Sequence, residues 1–157
     1  GDSRGWFKES FQQEKLITQG LPKDFRVVQN NVSVNIEKGV TRGIHAEPWN
    51  KYISIQSGQI FSAIVDLREG PTFGAVETFI MDASKALYVP KGCGNSFQTL
   101  TNNVVYTYLV DAHWSPTAKY TLVNLGDSDL NIQWPIPLKE AVISNKDKNH
   151  PMLKELK

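Results

Sequence analysis

The chain is poor in the residues that mark most metal and redox chemistry. Its 157 residues include one cysteine, Cys93, and three histidines, His45, His113 and His150. One thiol cannot close an internal disulfide, which fits a reducing, cytoplasmic setting. Cys93 follows Gly92 with no histidine nearby in sequence, and reads as a small turn or strand residue rather than a nucleophile. A metal centre built on a His-x-His pair with a neighbouring Glu and a further His is missing. Three nitrogen ligands would have to come from distant, unpatterned positions, so no metal is expected. Phosphate-loop, dinucleotide-loop and nucleophile-elbow glycine patterns are missing too.

Net charge is also scarce. The formal value of +1 offers no bulk field for nucleic acid or an acidic membrane surface. No stretch approaches the roughly 20 apolar residues of a membrane helix. The opening Gly-Asp-Ser-Arg is not the basic and then apolar run of a secretory leader. It does not begin with Met either, and the expectation is that residues preceding Gly1 are missing, from a trimmed chain or one domain of a longer polypeptide. The length predicts one domain over residues 1–157.

What the chain does have is short strands. Residues 25–34 are rich in valine. Residues 52–57 alternate and stop at Gly58, and 60–67 follow after a Gly58-Gln59 turn, which predicts a hairpin. Residues 76–81, 86–89, 97–100, 104–110, 120–124 and 132–134 complete the set, with turn chemistry at Glu69-Gly-Pro, Pro90-Lys-Gly-Cys-Gly, Thr101-Asn-Asn and Gly126-Asp-Ser-Asp. Such spacing predicts an all-β sandwich or barrel. Helix is confined to a short segment within 9–18, and the tail from Ser144 predicts a loop with at most a helical turn.

Chemistry-bearing residues cluster in Arg42-Gly-Ile-His-Ala-Glu-Pro-Trp-Asn-Lys51. If residues 41–55 run extended with an interruption at Pro48, alternation puts a cation, an imidazole and a second cation along one barrel mouth. On residue types alone, solvated Arg42 and Lys51, a half-buried His45 and a surface Glu47 are the favoured reading. Tyr106, Tyr108 and Val110 share a strand face by alternation. That face reads by default as core, ahead of a phenol proton donor beside an aromatic platform. The segment Asp2-Ser-Arg-Gly-Trp-Phe-Lys-Glu9 reads as a terminus leading into a helix, or as a source of an arginine for phosphate.

In order, these segments resemble the dTDP-4-dehydrorhamnose 3,5-epimerase family. The resemblance is carried by Asp-x-Arg-Gly-x-Phe-x-Glu at Asp2 to Glu9, by Gln29, Asn31 and Ser33, and by Arg-Gly-Ile-His at Arg42 to His45. It continues through Val-Asp-Leu-Arg and Pro-Thr-Phe-Gly at Val65 to Gly74, and Pro90 to Phe97. It ends with Tyr108 to Trp114, Ile-x-Trp-Pro at Ile132 to Pro135, and Ser-x-Lys-Asp at Ser144 to Asp147 with Pro151 beyond. The His-Ala-Glu-Pro-Trp-x-Lys-Tyr form is similar to the branch found in streptococci and other Gram-positive bacteria.

The resemblance implies a cupin-like antiparallel β-barrel or jelly roll and an isomerase that works without a cofactor. It implies a dTDP-sugar substrate, a homodimer, and a place in dTDP-rhamnose synthesis for cell-surface polysaccharide. No nucleic-acid or membrane partner is implied. His45 would be the base oriented by Asp147, Tyr108 the acid on the opposite face, and Lys51 and Arg42 the enolate stabilisers. Arg4, Glu9, Gln29 and Asn31 would contact the nucleotide or diphosphate, with the N-terminal segment reaching a neighbouring subunit, and Trp114 would lie near the substrate. Two positions depart from the common pattern: Asn95 replaces a histidine and Ser62 an aspartate, together fitting the loss of a hydrogen-bonded pair. Asn95 is retained as a substrate-side residue. A single-carbon epimerase, a related keto-isomerase and a non-catalytic sugar-nucleotide-binding barrel stay open beside the 3,5-epimerase.

Overall fold

The computed structural model describes residues 1–156 and contains two facing β-sheets with little helix. Lys157, the last residue of the expected 1–157 domain, lies outside the described residues. Among the described residues, no helix is long and apolar enough to cross a membrane.

The first sheet is four-stranded, in the order β1-β8-β3-β6. These are β1 (Gln29–Asn35), β8 (Val104–Val110), β3 (Lys51–Ser57) and β6 (Ala86–Val89). The second holds β10 (Val142–Ile143), β2 (Val40–Ala46), β7 (Cys93–Thr99), β4 (Ile60–Asp66) and β5 (Val76–Met81), with β9 (Thr121–Leu122) on β2. All pairings are antiparallel except β10 on β2. The predicted all-β barrel architecture is therefore the one observed.

Three apolar clusters hold the layers. Ile53, Ile55, Ile60, Met81, Val89, Cys93, Phe97, Val104 and Tyr106 fill the space between the sheets. Ile44, Val65, Val123, Leu125, Leu130 and Leu153 tie the second sheet to the C-terminal third of the chain. Leu21, Phe25 and Tyr52 pack the N-terminal segment, including α1 (Gln13–Thr18), on the first sheet. Each fully buried aliphatic or aromatic side chain adds about 1.5–3 kcal/mol from removal of apolar surface.

The predicted hairpin at Gly58-Gln59 does not form. β3 pairs with β8 and β6, whereas β4 pairs with β5 and β7, so this turn carries the chain from one sheet to the other. Gly58 has φ of +81°, and a Cβ there would lie 2.6 Å from Thr101 Oγ1. Gln59 donates its N–H to that same hydroxyl and accepts from Leu100 N–H, which anchors the corner to the next turn instead of to a partner strand. Residues 132–134 are not a strand either. Trp134 packs on Phe61 and donates its indole N–H to Leu125 O at 2.9 Å, so this stretch is a packed loop. β7 begins at Cys93, earlier than predicted, and β10 was not foreseen.

β1 inverts the usual rule. Its polar Gln29, Asn31, Ser33 and Asn35 lie on the less exposed face, while Val32 and Val34 are 61% and 56% exposed. A strand whose polar side chains turn inward marks an interior built for a polar ligand.

Candidate active site

The space between the sheets opens into a cavity of about 290 Å³ lined by residues of both walls. Arg42, His45, Asn95 and Phe97 come from the second sheet; Ser33, Lys51, Tyr106 and Tyr108 come from the first; Glu47, Ser144 and Asp147 close it. His45 and Tyr108 thus face the cavity from opposite sheets.

Local backbone geometry sets the second wall. Strict alternation would point Arg42 and His45 to opposite faces. The register between β2 and β7 shifts between these two residues, forming a bulge that turns both toward the cavity. Gly43 makes the bulge possible. Its φ is +123°, and a Cβ there would meet Ser96 Cβ at 2.5 Å and Asn95 O at 2.8 Å. The expected single extended run over 41–55 is instead two strands in different sheets, joined by a loop at Pro48.

The C-terminal segment delivers the carboxylate. β10 pairs with β2 through Val142–Val40 and Ile143–Thr41. Ser144 then caps the short α2 (Asn145–Lys148), its hydroxyl accepting from Asp147 N–H at 3.1 Å. Asn124 Nδ2 donates to Lys148 O and His150 O, and Asp127 Oδ2 accepts from Leu153 N–H at 2.6 Å, pinning the following turn. Asp147 Oδ1 comes to 2.9 Å from His45 Nε2. A carboxylate oxygen accepts, so this bond favours the tautomer with the proton on Nε2 and the lone pair on Nδ1. Burial holds the imidazole below its ordinary pKa, outweighing the opposing pull of Asp147.

On the first wall, Lys51 is buried, with its Nζ 2.7 Å from Glu47 Oε2 and 5.2 Å from the Tyr108 ring centroid. Burial lowers the Lys51 pKa, and Glu47 partly restores it. Burial and then the Glu47 charge raise the Tyr108 pKa, so the phenol keeps its proton. Glu47 is not the surface acid that its place beside Pro48 implied; its side chain is 11% exposed and paired. Likewise Lys51 is not solvated, while Arg42 is exposed and held by a 2.9 Å bond from Nε to Asn35 Oδ1.

The floor is aromatic. Phe97 and Tyr106 stack with centroids 4.5 Å apart, and Tyr106 OH accepts from Asn95 Nδ2 at 3.1 Å. Burial pushes the Tyr106 hydroxyl far above its ordinary pKa. Ser62 lies opposite Phe97, which makes it the diagonal neighbour of Asn95 across β4 and β7. Its hydroxyl donates instead to Ser96 O at 3.4 Å.

The remaining expected residues divide into two groups. Gln29 donates to Asn31 Oδ1 and accepts from Trp114 N–H, both at 2.9 Å. Trp114 and His45 line an adjoining surface recess with Tyr120 and Lys146. Arg4 and Glu9 lie apart from the cavity of their own chain: Arg4 is paired with Asp2, and Glu9 with Lys15. Sequence reasoning missed Glu47 and His150. His150 is buried, with its Nε2 3.6 Å from Asp147 Oδ1; its i+3 spacing from Asp147 was the available signal. His45, Asp147 and His150 are the described residues grouped closely enough to hold a metal ion.

The family model described as dTDP-4-dehydrorhamnose 3,5-epimerase matches residues 1–155. The chain belongs to the dTDP-4-dehydrorhamnose 3,5-epimerase family. Among its family relatives is the "Protein RmlC homolog" of Streptococcus pyogenes, 48% identical over all of this chain and 82% of that protein. A Streptomyces dTDP-4-dehydro-6-deoxyglucose 3-epimerase is 38% identical over 97% of this chain and 79% of its own length. Among solved epimerase-family structures, RmlC from Streptococcus suis in complex with dTDP-D-xylose superposes with a TM-score of 0.94 at 48% identity. It covers all of this chain and 83% of that one.

Proposed function

We propose that this chain epimerises dTDP-4-dehydro-6-deoxy-D-glucose at C3 and C5 to dTDP-4-dehydro-L-rhamnose. The observation that carries the reading is an imidazole and a phenol on opposite walls of one cavity, with a buried ammonium beside the phenol. Protons on C3 and C5 lie beside the C4 ketone, so the sugar itself supplies the activation. His45 Nδ1 takes the proton; the C–H electron pair moves into the C–C bond to form the enolate, and negative charge gathers on O4. Lys51 stabilises that charge. A single such donor in a water-poor site contributes about 3 kcal/mol. Tyr108 then delivers its phenolic proton to the opposite face of the carbon, and the enolate collapses to the ketone. The proton on His45 leaves through solvent and the Tyr108 phenolate regains one. Asp147 fixes the tautomer and stabilises the imidazolium.

Gln29, Asn31 and Trp114 extend the site toward the nucleotide. Arg4 and Glu9 serve a neighbouring subunit in a homodimer. The exposed Trp6, Phe7, Val32, Val34 and Ile36 support that assembly, since such apolar surface favours a partner. The reaction belongs to the cytoplasm, where the lone free thiol Cys93 is stable.

Incubation with dTDP-4-dehydro-6-deoxyglucose in deuterated water tests the proposal. Deuterium at both C3 and C5 with the L-rhamno product supports it. Deuterium at C3 alone selects the single-carbon reading, the activity named for two Streptomyces relatives. Binding without exchange selects the inert barrel.

A further inference from the structure

His150 is the buried titratable group that the proton-transfer scheme leaves unused. Its side chain is 4% exposed, and neither ring nitrogen has a hydrogen-bond partner. Buried polar atoms are normally partnered, so a bare imidazole inside a fold points to something it is shaped to hold. Its ring meets that of His45 edge to face, centroids 5.3 Å apart. Its Nε2 and His45 Nε2 approach the same oxygen, Asp147 Oδ1, at 3.6 and 2.9 Å. One ligand atom from each of the three residues lies within 4.8 Å of the others.

We infer that His45, Asp147 and His150 form a binding site for a zinc-class divalent transition metal, and that an ion held there silences His45 as a base. Two imidazoles and one carboxylate, with a fourth position left for water, are an established ligand set for such ions. Ligand atoms about 2.0–2.1 Å from a tetrahedral ion sit about 3.3 Å apart; the two separations to Asp147, 2.9 and 3.6 Å, bracket that value, and all three ligand atoms lie within 4.8 Å of one another. Magnesium and calcium, which demand several oxygen ligands, do not suit a nitrogen-rich trio. His45 is the partly exposed member and gives the ion its entry from the cavity.

The ion is an inhibitor, not a cofactor. It takes the place of the proton that His45 Nε2 shares with Asp147. A neutral imidazole coordinated through Nε2 carries its remaining proton on Nδ1, the nitrogen that must accept one from the sugar. Silencing rests on the reading of His45 as the base; binding does not.

The test starts with chelator-treated full-length protein titrated with Zn²⁺ by calorimetry. One equivalent should bind, and His150→Gln should weaken binding at least about tenfold, since loss of even an outer-sphere partner costs that much. Imidazole NMR of the wild type reads the site without mutation: signals of His45 and His150 should move and that of His113 should stay. Zn²⁺ should suppress deuterium exchange at the sugar, and chelator should restore it. Failure to bind, equal affinity in a folded His150→Gln, or movement of the His113 signal alone would overturn the site. Stoichiometric binding with full exchange would overturn the silencing. Metal-free protein that lacks exchange would count against the epimerase reading, while the titration would still decide the site.

Discussion

His45 and Asp147 are 102 positions apart in the chain, yet Nε2 and Oδ1 meet at 2.9 Å. The parallel β10–β2 pairing, the Ser144 cap and the Asn124 anchor bring them together. Asp147→Asn keeps the size of the side chain but lets its amide favour the wrong imidazole tautomer. The expected result is a fall in kcat of about 10²–10⁴-fold with KM little changed, read by steady-state kinetics beside a circular-dichroism check of the fold.

Tyr108→Phe removes the proposed proton donor on the first wall and leaves the ring beside Lys51. Abstraction by His45 persists, so deuterium exchange at the sugar should survive better than formation of the inverted product. Comparing exchange by NMR with product by chromatography checks this. Equal loss of both argues against Tyr108 as the acid.

In the proposed mechanism Lys51 sets the alkaline limb of activity. Its cation stabilises the enolate, burial depresses its pKa, and the cation is lost as pH rises through that depressed value. Glu47 raises the value, so Glu47→Gln should move the alkaline limb of the kcat profile to lower pH. An unmoved limb would separate Lys51 from the enolate.

Gly43→Ala should destabilise the whole domain, not only the site. It places a methyl 2.5 Å from Ser96 Cβ in a positive-φ position. A loss of about 1–3 kcal/mol or more is expected, visible as a lower midpoint in urea unfolding.

How much of this was legible in the sequence varies from element to element. The alternation of Val104–Val110 correctly put Tyr106 and Tyr108 on one face, because a regular strand obeys its period. Around Arg42 the period failed, since the Gly43 bulge depends on close approach of β7, which no local pattern encodes. Asp147 was paired with His45 through family resemblance alone; tertiary contacts at that separation leave no spacing signal. Glu47 looked like a surface acid because burial of its ion pair with Lys51 depends on the opposite sheet. The Gly58 corner mimicked a hairpin because a glycine turn between alternating runs looks the same whether the chain returns to its own sheet or crosses to another.

The proposed mechanism turns on His45 as the base, and exchange in deuterated water with His45→Ala tests it most directly. The expected result is a folded protein that binds the dTDP-sugar and incorporates no deuterium at C3 or C5 above the enzyme-free rate. Substantial residual exchange at either carbon, in protein of unchanged fold, would contradict the assignment of this imidazole as the base.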